Sequence, residues 1–288
     1  MLSQVITGGL AVGSIYALVA LGFVLIYKAT DVINFAQGDM MMFCAYINFY
    51  LLTVHEFSFP IAILITLMAS ALMGIILERA IIRPLLNEPL FVIVIVTIGL
   101  ATCLKSGAGM LWGYDTYTVP TPFPEIPYKI GNLVISATHL WIVMITLVLV
   151  TIFFFFFRYT RLGTAMRSTS EHQDAAQLMG INVKGIFSLT WIMSAVIGSA
   201  GGMLIAPLLF LRNDLGFIGL KAFPAAFLGG FGSFPGAVVG GLLLGVLESI
   251  ATFYLPEGIK DVFAWLILIA ILMIRPEGIF GIYEKKKV

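Results

Sequence analysis

The chain has 288 residues, 60% of them apolar and only 11% charged, with a mean hydropathy of +1.05 and a net charge of +1. Soluble domains carry about 25% charged and 45–50% apolar residues, and 16 Lys and Arg against 15 Asp and Glu leave no basic excess to neutralise phosphates. A soluble enzyme, a nucleic-acid binder and a disordered chain are excluded, and a polytopic membrane protein remains.

Met1 to Gln4 carry no positive charge. The apolar run behind them is too long for a signal-peptide core, so it reads as a permanent first span. Apolar runs fall at about 5–27, 36–54, 59–77, 90–110, 139–157, 186–206, 216–232, 235–254 and 261–275. A spanning helix needs about 20 apolar residues. The pattern predicts an all-α bundle of about 8–9 transmembrane helices in a single domain, 1–288. The seventh run is short and glycine-rich, which suits a broken or re-entrant helix.

Between the first two runs lies Lys28-Ala-Thr-Asp31-Val-Ile-Asn34-Phe-Ala-Gln37-Gly38-Asp39. So many polar residues between two spans make either a capped turn or unwound backbone at a gate, which is tolerated at depth only against protein or water. Small residues recur every fourth position in several runs: Gly9, Gly13 and Ala17; Gly99, Cys103 and Gly107; Ser194, Gly198 and Gly202; Gly236 and Gly240; Gly241 and Gly245. Close backbone approach drives helix association in lipid, so these stripes are expected at helix contacts. Cys44 and Cys103 also fall in apolar runs and read as packing residues. Two cysteines and three scattered histidines suggest no metal site.

Two charges interrupt the runs. Glu248 shares a face with Gly241 and Gly245, as a pathway residue or a paired cap. Lys105 sits late in the fourth run, toward the outside, lining a pathway or snorkelling outward. The stretch 111–138 holds Trp112, Tyr114, Tyr117 and Tyr128 among Pro120, Pro122, Pro124 and Pro127, and reads as an interfacial loop. Phe153 to Phe157 reads as lipid-facing.

The second long polar stretch, 158–185, starts with Arg158, Arg161 and Arg167. Ser168-Thr169-Ser170-Glu171 then resembles an N-cap, a helix-forming run Asp174 to Met179 follows, and Gly180 ends it. A short amphipathic helix on the inner face is expected, resting on the membrane or filling a partner's groove. With the N-terminus outside, the inner side receives 11 of the 16 positive residues, including Lys28, Arg79, Arg83, Lys184, Arg275, Lys285, Lys286 and Lys287. The outer side receives Lys129, Arg212, Lys221 and Lys260. The positive-inside rule prefers this arrangement, and it demands an odd number of crossings. No phosphate loop, zinc-protease or serine-hydrolase motif is found. No catalysis is expected, and any ATP must be bound by another chain.

Four blocks now fall into order. They are Gly9-Leu-Ala-Val-Gly13-Ser-Ile-Tyr16 running on to Ile33-Asn34-Phe-Ala-Gln37-Gly38-Asp39; Gly163-Thr-Ala-Met-Arg167 with Asp174-Ala-Ala-Gln-Leu-Met-Gly180; Leu228-Gly-Gly-Phe-Gly232-Ser-Phe-Pro-Gly236 with Gly240, Gly241, Gly245 and Glu248; and Arg275-Pro-Glu-Gly278. Over nearly its whole length the chain resembles the inner-membrane permeases of bacterial ABC importers for branched-chain amino acids, the H-type subunit above all. The resemblance implies a fold like that of vitamin-B12-type (type II) importers. It also implies a second related permease, two ATP-binding-cassette ATPases that bind the ATP, and a periplasmic binding protein. It implies that the segment at about 163–183, with Arg167, Asp174, Ala175, Ala176 and Gly180, docks on an ATPase. Cys44 stands where the family suggests Gly, and Lys105-Ser106-Gly107 replaces a neutral polar pair. Asn34, Gln37, Lys105 and Glu248 are the candidate pathway residues. The same motifs also serve permeases for urea, short amides or other amino acids. An ion-coupled transporter would need more mid-membrane carboxylates, and a channel or structural subunit would not need the docking segment.

Overall fold

A computed structural model describes residues 2–86, 88–123, 127–130 and 133–281. Pro124 and the lysines at 285–287 lie outside them. Its helices follow the apolar runs closely: α1 (Leu2–Thr30), α2 (Gln37–Thr53), α3 (Phe59–Leu77), α4 (Leu90–Trp112), α5 (Ala137–Tyr159), α6 (Arg161–Glu171), α7 (Gln173–Leu178), α8 (Val183–Leu209), α9 (Leu215–Leu220), α10 (Ala222–Gly229), α11 (Phe234–Tyr254) and α12 (Glu257–Ile274). A small antiparallel hairpin, β1 (Tyr128–Ile130) and β2 (Leu133–Ile135), sits in the 111–138 loop.

Six helices among the described residues are long and apolar enough to cross a membrane. The 17-residue α2, the broken pair α9–α10, and α12 complete the bundle. The seventh run is thus two short helices meeting at Lys221, and it descends the full depth. Leu211 pairs with Tyr117 at one face, Gly216 meets Gly38 midway, and Phe231 packs at a tilt on Tyr27 near the other face. Gly281 lies against Gly230 near the Tyr27 end of α1, and Leu2 begins the other end, so the first and last described residues fall at opposite ends of the bundle.

α1 is apolar on every side and is the axis of the bundle, as an all-round apolar helix should be. It packs antiparallel to α11 through glycines. A Cβ on Gly9 would meet Gly245 and Val246, one on Gly13 would meet Gly241 and Leu242, and one on Gly245 would strike the Gly13 backbone. Gly241 lies against Ala17 in the same way. On the other side of α11, Gly236 and Gly240 meet Gly229 and Ala225 of α10. In α8, Gly198 faces Gln37 and Gly202 faces Met41. The α4 stripe differs: added Cβ atoms on Gly99 and Gly107 would meet nothing within 4 Å, and Cys103 is exposed. Spacing alone could not tell a contact stripe from an unpartnered one.

One further expectation needs correction. Phe153 and Phe157 turn inward and pack on Phe234, while Phe154 and Phe155 face out. Residues four apart share a helix face, so a run of five phenylalanines is split between core and lipid. In the 111–138 stretch, Trp112 stacks on Tyr46 and Tyr117 packs on Phe49, so these two aromatics are anchored on α2.

Candidate functional site

The link after α1 is unwound backbone and not a turn at the surface. α1 ends at Thr30, the chain folds back along it through residues 31–36, and α2 begins at Gln37. An added Cβ on Gly22 would meet the Gln37 side chain, so α2 starts level with Gly22, about 12 Å inside the end of α1 at 1.5 Å per residue. The irregular backbone is held by side chains. Asn34 Oδ1 accepts from the Ala36 N–H at 3.1 Å, and Asn34 Nδ2 donates to Gln37 Oε1 at 3.3 Å. Gln37 Nε2 donates to the Ser194 carbonyl at 3.1 Å. Ser194 Oγ lies 2.9 Å from the Gly22 carbonyl and 3.0 Å from Gln37 Oε1. Asn34 and Gln37 are fully buried. Their amides tie α1, α2 and α8 into one polar knot.

Glu248 is paired. Lys221 Nζ donates to Glu248 Oε1 at 2.7 Å, and Tyr16 Oη donates to Glu248 Oε2 at 2.6 Å. Lys221 occupies the joint between α9 and α10, where it is 7% exposed. Placing it in an outer loop was an error. It lies inside the seventh apolar run, which could have signalled a lysine taken into the bundle.

Lys105 is on the outward face of α4. Trp112 of the same helix stacks on Tyr46 and meets Phe43 edge-on. Lys105 is seven residues back, about 10 Å down the helix, which puts it level with the start of α2. There it acts electrostatically on half-buried Asp39, whose carboxylate lies against Gly216 of α9. Two opposite charges therefore share one outer face, formed by α2, α4 and α9, near the middle of the bundle.

On the face where α1 ends, the polar stretch forms two helices, not one. Thr160 caps α6, its hydroxyl accepting from the Gly163 N–H at 3.0 Å. The expected cap at Ser168–Glu171 lies in the last turn of α6, and the break falls at His172. Gly163 fits there because a Cβ would strike the Phe157 carbonyl. Gly163, Met166 and Thr169 form the buried side of α6. Arg167 Nη1 donates to the Phe157 carbonyl at 2.6 Å, capping α5. α7 ends in a Schellman turn at Gly180, φ +84°, with Gly180 N–H to Gln177 O and Ile181 N–H to Ala176 O, both at 3.0 Å. Ala176 is buried; Asp174, Ala175 and Gly180 are exposed. Leu178 is 89% exposed and Met179 84%.

A family model for the permease component of branched-chain amino acid transport systems matches residues 5–272. The chain belongs to the branched-chain amino acid permease family. This permease is 33% identical over 303 residues to the high-affinity branched-chain amino acid transport permease LivH of Salmonella typhimurium, covering 99% of this chain and 97% of that one. It is 34% identical over 299 residues to BraD of Pseudomonas aeruginosa, with the same coverage. Among solved structures, PsaBC of Streptococcus pneumoniae in complex with Fab shares the fold, with a TM-score of 0.51 at 12% identity over 96% of this chain and 92% of that chain.

The permease carries one more charged cluster that sequence reasoning missed. Arg83 Nε and Nη2 donate to the two oxygens of Glu78, each at 2.9 Å, and Ser188 Oγ donates to Glu78 Oε2 at 2.8 Å. Glu78 is fully buried. Its partner is five residues on, a spacing that an α-helix does not align. The segment Glu78–Ile82 is a π-helix, whose i→i+5 repeat brings the two together. This clamp locks the end of α3 to the first turns of α8.

Proposed function

We propose that this permease is the membrane-spanning subunit of a bacterial inner-membrane importer for branched-chain amino acids. Separate ATPase subunits drive it, a periplasmic binding protein supplies the substrate, and a second related permease completes the pore. The α6–α7 side faces the cytoplasm and the N-terminus faces outward. The observation that carries this reading is the exposure of Leu178 and Met179 beside a rigid glycine-capped turn. Two large apolar side chains in water on a segment too short to span call for a protein cover. In a family of transport permeases, the motor is that cover.

The substrate route follows the face of Asp39 and Lys105. A lysine on a lipid-facing surface at mid-span costs at least about 2.5 kcal/mol, so this face of α4 meets the second permease or the pathway, not acyl chains. An ammonium and a carboxylate at one depth suit the two ends of an amino-acid zwitterion, and the apolar walls suit an aliphatic side chain. Asn34 and Gln37 act behind this face, fixing the start of α2. Pairing of Glu248 with Lys221 removes it as a free ion-coupling carboxylate, which weighs against an ion-driven mechanism.

Proteoliposomes holding the complete assembly test the reading. ATP-dependent uptake of leucine, isoleucine and valine in the presence of the binding protein is expected. Uptake that survives without ATP and collapses with an ionophore rejects it. Lys105→Met should raise the leucine concentration needed for half-maximal uptake while ATP hydrolysis persists; unchanged uptake removes Lys105 from the route.

A further inference from the structure

A cleft of about 490 Å³ opens between α5 and α11, floored by Leu21 of α1. Its walls are Val150, Phe153, Phe154 and Phe157 on one side and Phe234, Val238 and Val239 on the other. No acid is among the lining residues, and two arginines, Arg158 and Arg167, stand at the end where α5 finishes. A third cation joins them: Lys28 Nζ lies 5.3 Å from the centre of the Phe234 ring. One acid, Glu171, acts on Lys28 at this edge.

We propose that this cleft binds an anionic phospholipid of the leaflet on the α6–α7 side. An acyl chain lies along the phenylalanine and valine walls, and the phosphate rests between Arg158 and Arg167. The donor inventory allows it. Arg167 uses both Nη1 hydrogens on the Phe157 and Arg158 carbonyls and one Nη2 hydrogen on Thr164. Of the five N–H donors of a guanidinium, its Nε–H and one Nη2 hydrogen remain for an anion. Arg158 is exposed, and among the described residues its guanidinium makes only ring contacts, with Phe154 and Tyr159. A basic opening at the headgroup level above an apolar slot matches a lipid with a charged head and a greasy tail, and basic pockets between spans recognise such heads. A soluble anion would gain nothing from the walls, and a zwitterionic lipid would gain little from the three cations. The position has a consequence that rests on the coupling role proposed for α7: Arg167 lies on α6, so a lipid phosphate there would steady the helix from which the docking segment hangs.

The test uses the whole importer purified in mild detergent and exchanged into nanodiscs of equal parts phosphatidylglycerol and phosphatidylcholine. Lipid still bound after delipidation is identified by native mass spectrometry. Each basic residue near a headgroup gives about fivefold preference for an anionic lipid. The wild-type chain should therefore retain phosphatidylglycerol over phosphatidylcholine by about tenfold or more, and Arg158→Gln should cut that preference about fivefold. Val238→Trp, which fills the slot, should abolish retention of both lipids while the thermal melt shows the chain still folded. Equal retention of the two lipids by the wild-type chain overturns the proposal, as does unchanged retention in Val238→Trp. Retention unaffected by Arg158→Gln, with weaker ATPase association instead, also overturns it and assigns the arginines to the motor. None of these readouts depends on transport, so failure here is separable from failure of the coupling assignment.

Discussion

Charges placed where water is absent explain themselves by their partners. Glu248 accepts from both Lys221 and Tyr16, and the joint between α9 and α10 is fixed through it to α1 and α11. Removing one partner of a buried pair leaves an uncompensated charge and costs about 3–5 kcal/mol, while replacing both with apolar or neutral groups of similar volume is close to neutral. Lys221→Met and Glu248→Gln should each lower the thermal midpoint in detergent markedly, and the double variant should recover most of the loss. Additive losses would show that the pair is not the reason for either residue. Glu248 stood out in the sequence because one acid in an apolar helix is conspicuous. Lys221 was hidden by counting, since a lysine between two short apolar stretches looks the same in a loop and in a broken helix. Which group pairs with which is a property of three-dimensional closeness that no local pattern encodes.

Individual helices were legible to within a few residues, because a hydrocarbon-level helix must be apolar for its full length and Lys, Arg, Gly and Pro mark its ends. What was not legible is the interior of the polar stretches. The 158–185 stretch carries two competing cap signals, and the one at Thr160 prevails because α6 can then bury Gly163, Met166 and Thr169 against the end of α5. The stop at Gly180 was readable, since φ +84° is a glycine conformation. Forcing a side chain into left-handed backbone costs about 1–2 kcal/mol. Gly180→Val should therefore open the Schellman turn and misplace Leu178 and Met179. Uptake by the reconstituted importer should fall while ATP hydrolysis continues; normal uptake would show that the turn does not position the motor. Leu178→Asp with Met179→Asp tests the surface itself and should weaken co-purification of the ATPases, with the permease melt unchanged because neither side chain is packed.

At the level of the whole molecule, the packing of α1 against α8, α10 and α11 draws Lys28, α6–α7, Phe231 to Phe234 and Gly278 to one face. Tyr114, Phe210 and Tyr254 belong to the other. The positive-inside count assigned the same grouping from the sequence, and it survives the loss of Lys221 from the outer tally because the inner loops keep their excess. The grouping is geometric, whereas the assignment of the Lys28 face to the cytoplasm follows from charge, and the two can be separated by labelling. In a Cys103→Ser background, with Cys44 fully buried, single cysteines at Tyr114 and Leu178 occupy exposed positions on opposite faces. In intact cells whose outer membrane has been made permeable, a membrane-impermeant maleimide should modify the cysteine at 114 and spare the one at 178; inverted vesicles should reverse this. Modification of the cysteine at 178 from outside would place α7 on the side with no nucleotide. The exposed Leu178 and Met179 would then need a different partner, and no ATPase could drive the bundle through them.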